Sequence, residues 1–116
     1  MEVSVRKEER FCVIRVEEDR IDAAVALGFK EAMRRMTVGA PRTVVLDLGR
    51  VTFIDSSGLG AIVATMKHLA PDRALILVGL SPAVSRVFTL TRMDSVFSLF
   101  DTLAGAIADL NVHPRA

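Results

Sequence analysis

Two adjacent serines, Ser56 and Ser57, stand in the run Val51-Thr52-Phe53-Ile54-Asp55-Ser56-Ser57-Gly58-Leu59-Gly60. Upstream, Thr43-Val44-Val45-Leu46-Asp47-Leu48 is nearly continuously apolar, as strands covered on both faces are. Downstream, Leu59, Ile62, Val63, Met66 and Leu69 recur at helical spacing. The chain therefore leaves a hydrophobic strand and delivers a polar cluster to the start of a helix. A helix N-terminus offers unpaired amides and a partial positive charge, so anionic groups, phosphate included, are favoured there. Ser56 or Ser57 is expected to cap the helix. Gly58 and Gly60 would leave side-chain-free surface over which another protein's backbone, or a nucleotide, could approach the hydroxyls. A second reading stands beside this one: the segment is only a helix cap, and the glycines only allow close helix–sheet packing. A glycine inside a helix costs about 1 kcal/mol against alanine. Two in the first turns therefore point to a reason beyond capping, but local chemistry leaves both readings open.

A catalytic use of these serines finds little support. The position two residues before Ser56 is Ile54, where a hydrolase nucleophile elbow has glycine. The two histidines are His68, about three turns along the same helix, and His113, in the C-terminal tail. No Gly-rich phosphate loop of the Walker type is present, and no cluster of His, Cys and carboxylates has metal-ligand spacing. The expectation is a protein that is not an enzyme and that has no cofactor and no metal. Cys12 lies in an apolar strand-like run and reads as a small buried hydrophobe.

The elements that position the serines follow in order. Glu2 to Arg6 and Phe11 to Val16 read as an antiparallel pair around a charged turn. Asp22 is expected to cap a helix whose apolar positions are Val25, Phe29, Ala32, Met33 and Met36. After the strand at Thr43 to Leu48 and the helix at Ser57 to Ala70 comes a second apolar run, Ala74 to Gly79. Ser81-Pro82 opens a helix lined by Val84, Val87 and Phe88. Val96 to Phe100 suits a last short strand, and Asp101 is expected to cap a helix carrying Leu103, Ile107 and Leu110. Residues 111–116 are expected to fray. The order β, β, α, β, α, β, α, β, α predicts one α/β domain over residues 1–116. Its sheet should be mixed, mainly parallel, of four to five strands, with about four helices packed on it.

Composition narrows the partners. A chain of 116 residues with 51% hydrophobic residues suits one globular domain without a metal or disulfide staple. The net charge of +1 and the lack of Trp and Tyr give nucleic acid binding little support. No apolar stretch reaches the roughly 20 residues of a membrane span, and no secretory leader is evident. A cytoplasmic protein that binds another protein or a small ligand is expected.

The quoted segments also carry a resemblance. Leu46-Asp47-Leu48, Phe53 to Gly60, Ser81-Pro82-Ala83-Val84-Ser85-Arg86-Val87-Phe88 and Asp22 together resemble the STAS domains of bacterial anti-sigma factor antagonists. The resemblance implies that Ser56 is the phosphoacceptor, with Ser57 as fallback. It implies an anti-sigma factor serine kinase that adds the phosphate, a metal-dependent serine phosphatase that removes it, and a partner switch that ends in release of a sigma factor or another client. Asp22, Asp55, Ser56, Ser57, Gly58, Leu59 and Gly60 would contact the partner, and a homodimer is one further arrangement. The other role implied by the resemblance is a regulatory or scaffold subunit of a lipid-transport ATPase or a stress-signalling assembly. Asp19 and Arg92 depart from the pattern, each standing where the family often has glycine.

Overall fold

The computed structural model describes residues 1–112. Among them, five strands form one sheet: β1 (Val3–Lys7), β2 (Phe11–Val16), β4 (Thr43–Asp47), β6 (Ala74–Val78) and β7 (Ser98–Phe100). Their order is β1-β2-β4-β6-β7, with β1 antiparallel to β2 and every other neighbouring pair parallel. A separate two-stranded parallel sheet joins β3 (Arg20–Ile21) to β5 (Phe53–Ile54). The helices are α1 (Ala26–Met36), α2 (Ser56–Leu69), α3 (Pro82–Leu90) and α4 (Leu103–Val112), with a 3-10 turn at Met93–Ser95. The expected mixed α/β architecture is present. Residues 113–116 of the expected tail lie outside the described residues, and α4 runs past the boundary expected at Asn111.

Alternation along the strands divides the core between two faces. Cys12, Ile14, Val44, Leu46, Leu75 and Leu77 point to one side, where Phe29 and Met33 of α1, Ile62 of α2, and Val84 and Phe88 of α3 cover them. Val13, Val45, Ile76 and Val78 point to the other, against Ala106 and Leu110 of α4. Both faces of the central strands are thus covered, which is why their sequences read as unbroken apolar runs. Phe88 and Phe97 meet edge to face, with ring centres 5.8 Å apart, a favoured geometry for aromatic pairs. Cys12 is buried, and burial raises its thiol pKa. The face of α2 turned to the core is rotated from the expected one. Ala61 and Thr65 are buried beside Ile62 and Leu69, while Leu59, Val63 and Met66 are only partly buried.

The caps differ from expectation in three places. Asp22 does not cap α1: the helix begins four residues later, after Val25, and has no side-chain cap. The Asp22 carboxylate instead accepts from the Ala24 amide at 3.1 Å, closing a turn ahead of the helix. At α4, Thr102 and not Asp101 provides the cap, its hydroxyl accepting from Gly105 N at 3.0 Å. At α2, the cap is Asp55 and neither serine. Short polar residues compete for such positions, and which one wins depends on where the preceding chain turns. Ser81 caps α3 as expected, accepting from Val84 N with Pro82 at the first helical position.

Candidate functional site

The site is built where β5 runs into α2. After β4, the chain turns at Gly49, whose amide donates to Asp47 Oδ1 at 2.8 Å, and Val51 anchors the loop in the core. The next residues are stitched to the segment before α1. The Asp19 carbonyl accepts from Thr52 N at 2.8 Å, from Phe53 N at 3.3 Å and from Thr52 Oγ1 at 3.1 Å. Arg20 pairs with Phe53 and Ile21 with Ile54, and Asp55 N donates to the Ile21 carbonyl at 3.4 Å.

Asp55 completes the junction. Its extended backbone places one carboxylate oxygen, Oδ1, on the Gly58 amide at 2.8 Å. The other, Oδ2, accepts from Ala23 N at 3.0 Å. One side chain therefore caps α2 and ties the entry of α1 to it. The amide donors, Gly58 first, hold its carboxyl below the usual carboxylate range, with partial desolvation opposing them.

Because Asp55 takes the cap, Ser56 and Ser57 are left over. Both are exposed on the first turn of α2, and within the described residues neither hydroxyl has a hydrogen-bond partner. The two glycines separate in role. Gly58 is buried, and a Cβ there would collide with the Ile21 carbonyl. It therefore offers no open surface, and the close-packing reading of the two holds at this position: glycine is what lets α2 pack against β3. Gly60 is exposed, and a Cβ there would meet nothing within 4 Å. Leu59 is half-buried against the core.

The structure brings Asp22, Asp55, Ser56, Ser57 and Gly60 to one rim at the start of α2. It adds two residues the sequence reading missed. The Arg20 guanidinium lies over the Phe53 ring at 4.3 Å and also reaches Asp22 Oδ2 at 3.2 Å. Phe53 is 40% exposed, so this stack forms part of the outer surface beside the serines. The period-2 spacing of Arg20 and Asp22 was the one available signal, and it has meaning only once a strand at that place is known. Arg50 is exposed in the preceding loop. His68 lies at the far end of α2, about 18 Å from Ser56 along the helix axis, so the two do not converge. Among the described residues no group of three or more His, Cys, Asp or Glu is placed to hold a metal ion. No helix there is long and apolar enough to cross a membrane.

A buried parallel sheet delivering an Asp-Ser-Ser-Gly junction to a helix start, over nearly the whole chain, defines a known class. The STAS domain profile matches residues 2–106, and the chain belongs to the STAS domain family. It is 34% identical over 80 residues to an anti-sigma-B factor antagonist of Listeria monocytogenes, covering 68% of this chain and 70% of that protein. It is 30% identical over 87 residues to the anti-sigma-F factor antagonist RsfB of Mycobacterium tuberculosis, covering 75% and 71%. The crystal structure of an anti-sigma factor antagonist from Mycobacterium paratuberculosis superimposes with a TM-score of 0.84 at 28% identity, covering 95% of this chain and 93% of that one.

Proposed function

We propose that this protein is an anti-sigma factor antagonist whose partner binding is switched by phosphorylation of Ser56. The observation that carries the reading is that the exposed Ser56 hydroxyl has no hydrogen-bond partner among the described residues. Asp55 supplies the cap and the loop tie, and the Ser56 hydroxyl projects into solvent at a helix N-terminus. Ser57 shares that exposure and is the second acceptor. The names of the relatives support an anti-sigma factor as the partner class; the serine kinase activity of that partner and an opposing metal-dependent serine phosphatase belong to the proposal.

The physical consequence of modification follows from the site. A phosphate adds about −1.5 to −2 charges at pH 7. The positive end of α2 tolerates that charge, so the domain stays folded. The partner, fitted to a neutral hydroxyl and already facing Asp55, meets repulsion and desolvated oxygens without donors. The nucleotide binds to the kinase, because this chain has no phosphate-cradling loop of its own.

Incubation with the kinase and ATP, followed by peptide mapping, tests the assignment. Phosphate on Ser56 that disappears in Ser56→Ala, with an unchanged unfolding midpoint, is the expected result. Incorporation only at residues outside Ser56 and Ser57 would refute it.

A further inference from the structure

The strongest unused feature is a group of basic side chains on the same helix pair. Lys30 and Arg34 of α1 and His68 of α2 surround a cleft of about 50 Å³ whose remaining walls are Met33, Ala64 and Thr65. Lys67 is exposed next to His68. Within the described residues none of these four side chains has an ion pair or hydrogen-bond partner; the ion pairs lie elsewhere, at Arg6–Glu8, Arg15–Glu17 and Arg20–Asp22.

Helix dipoles explain part of this charge. Arg34 and Lys67 fall in the last turns of their helices, where cations offset the negative end. Lys30 is in the middle of α1 and has no such explanation. Glu31 is the one carboxylate nearby on α1, and it lies about 100° further round the helix than Lys30, away from the cleft.

The cleft and the serines lie on the same helix pair. Each of α1 and α2 leads into a strand parallel to β2, so the two helices run in the same direction. Their starts are tied by the Ala23–Asp55 hydrogen bond. Leu27, 64% exposed, stands on α1 near the level of Gly60. About 10–12 Å further along both helices come Arg34 and His68. Leu27 and Gly60 thus stand toward the starts of the two helices, and Arg34, Lys67 and His68 toward their ends.

We propose that the α1–α2 groove is a docking track for an acidic segment of the partner protein. The segment sets an apolar side chain on Leu27 and Gly60 and carboxylates against Lys30, Arg34, Lys67 and His68. The inference rests on the partner-switch reading. Charge complementarity sets the chemistry of the occupant. No aromatic residue lines the cleft for stacking, which argues against a nucleic acid base there.

The test measures the affinity of the purified kinase that modifies Ser56 for the full chain and for Lys30→Glu/Arg34→Glu. Both positions are exposed, so the variant keeps its fold, which circular dichroism checks. A loss of roughly tenfold or more at low salt, shrinking as ionic strength rises, is expected. Arg6→Glu/Arg10→Glu changes net charge equally and should leave affinity within about twofold of wild type. Unchanged affinity in the groove variant, or an equal loss in the control, overturns the inference and leaves the switch standing. A kinase that phosphorylates Ser56 without measurable affinity for the unmodified chain defeats the switch, and the inference falls with it. Binding of phosphatidylglycerol vesicles or an RNA oligonucleotide that the groove variant abolishes, with kinase affinity unchanged, assigns the patch to another class of partner and also overturns it.

Discussion

At the scale of single residues, the two glycines after the serines make opposite predictions. Gly58→Ala forces a methyl group against the Ile21 backbone carbonyl, which cannot move without breaking the β3–β5 pairing. A destabilisation of about 1–3 kcal/mol or more is expected in urea unfolding. Gly60→Ala meets open space and gains helix propensity, so it should stabilise the fold by about 0.5–1 kcal/mol. If Gly60 is kept for close approach of a partner, the same substitution weakens kinase binding while strengthening the fold. The sequence showed that two glycines in the first turns of a helix call for a reason. It could not assign the reasons, because Gly58 meets Ile21 only through a contact 37 positions back in the chain. The serines were legible as a pair at a helix start, but that Asp55 would take the cap was not. Three short polar residues in a row can each accept an amide, and tertiary ties to Ala23 decide among them.

At the scale of elements, the α2 junction should be sensitive to acid. The Asp55 carboxyl titrates below its unfolded value because amides bond its charged form. Its contribution is therefore complete above the unfolded pKa of about 4 and is lost as pH falls through the lower folded value. Asp55→Asn keeps an acceptor but loses the charge. Wild type should exceed this variant in unfolding free energy at pH 7, and the gap should close in acid. A gap of the same size at pH 7 and in acid would count against the assignment. The turn after α3 is a second element-scale case. Arg92 adopts a left-handed backbone, φ 62° and ψ 16°, just past the helix end. Glycine adopts this conformation without steric cost, and here an arginine holds it. Arg92→Gly should stabilise by about 1 kcal/mol in thermal or urea unfolding, since only a non-glycine residue incurs the steric cost there. The long elements were readable because their apolar residues repeat over two or more turns or along whole strands. β3 and β5 were not, because two residues carry no period. Arg20 and Phe53, which sit on them, were missed with them.

At the scale of the whole molecule, the fold separates residues that hold the structure from residues left on its surface. The sheet and its two cores fix the junction. Asp19, Asp55 and Gly58 lock the neighbouring segments together, and the serines, Gly60 and the Arg20–Phe53 stack are left on the outside. A modification on such a rim changes what can dock without changing what is folded. Order of elements and buried strands were legible at this scale from hydrophobic pattern alone. The identity of the docking face was not, since it depends on which helices lie side by side. The central claim is tested most directly by titrating the kinase with unmodified protein and with protein fully phosphorylated on Ser56, both shown to be folded. The phosphorylated form should bind about 5- to 150-fold more weakly, the range of ordinary coupling free energies. Equal affinities would contradict the switch.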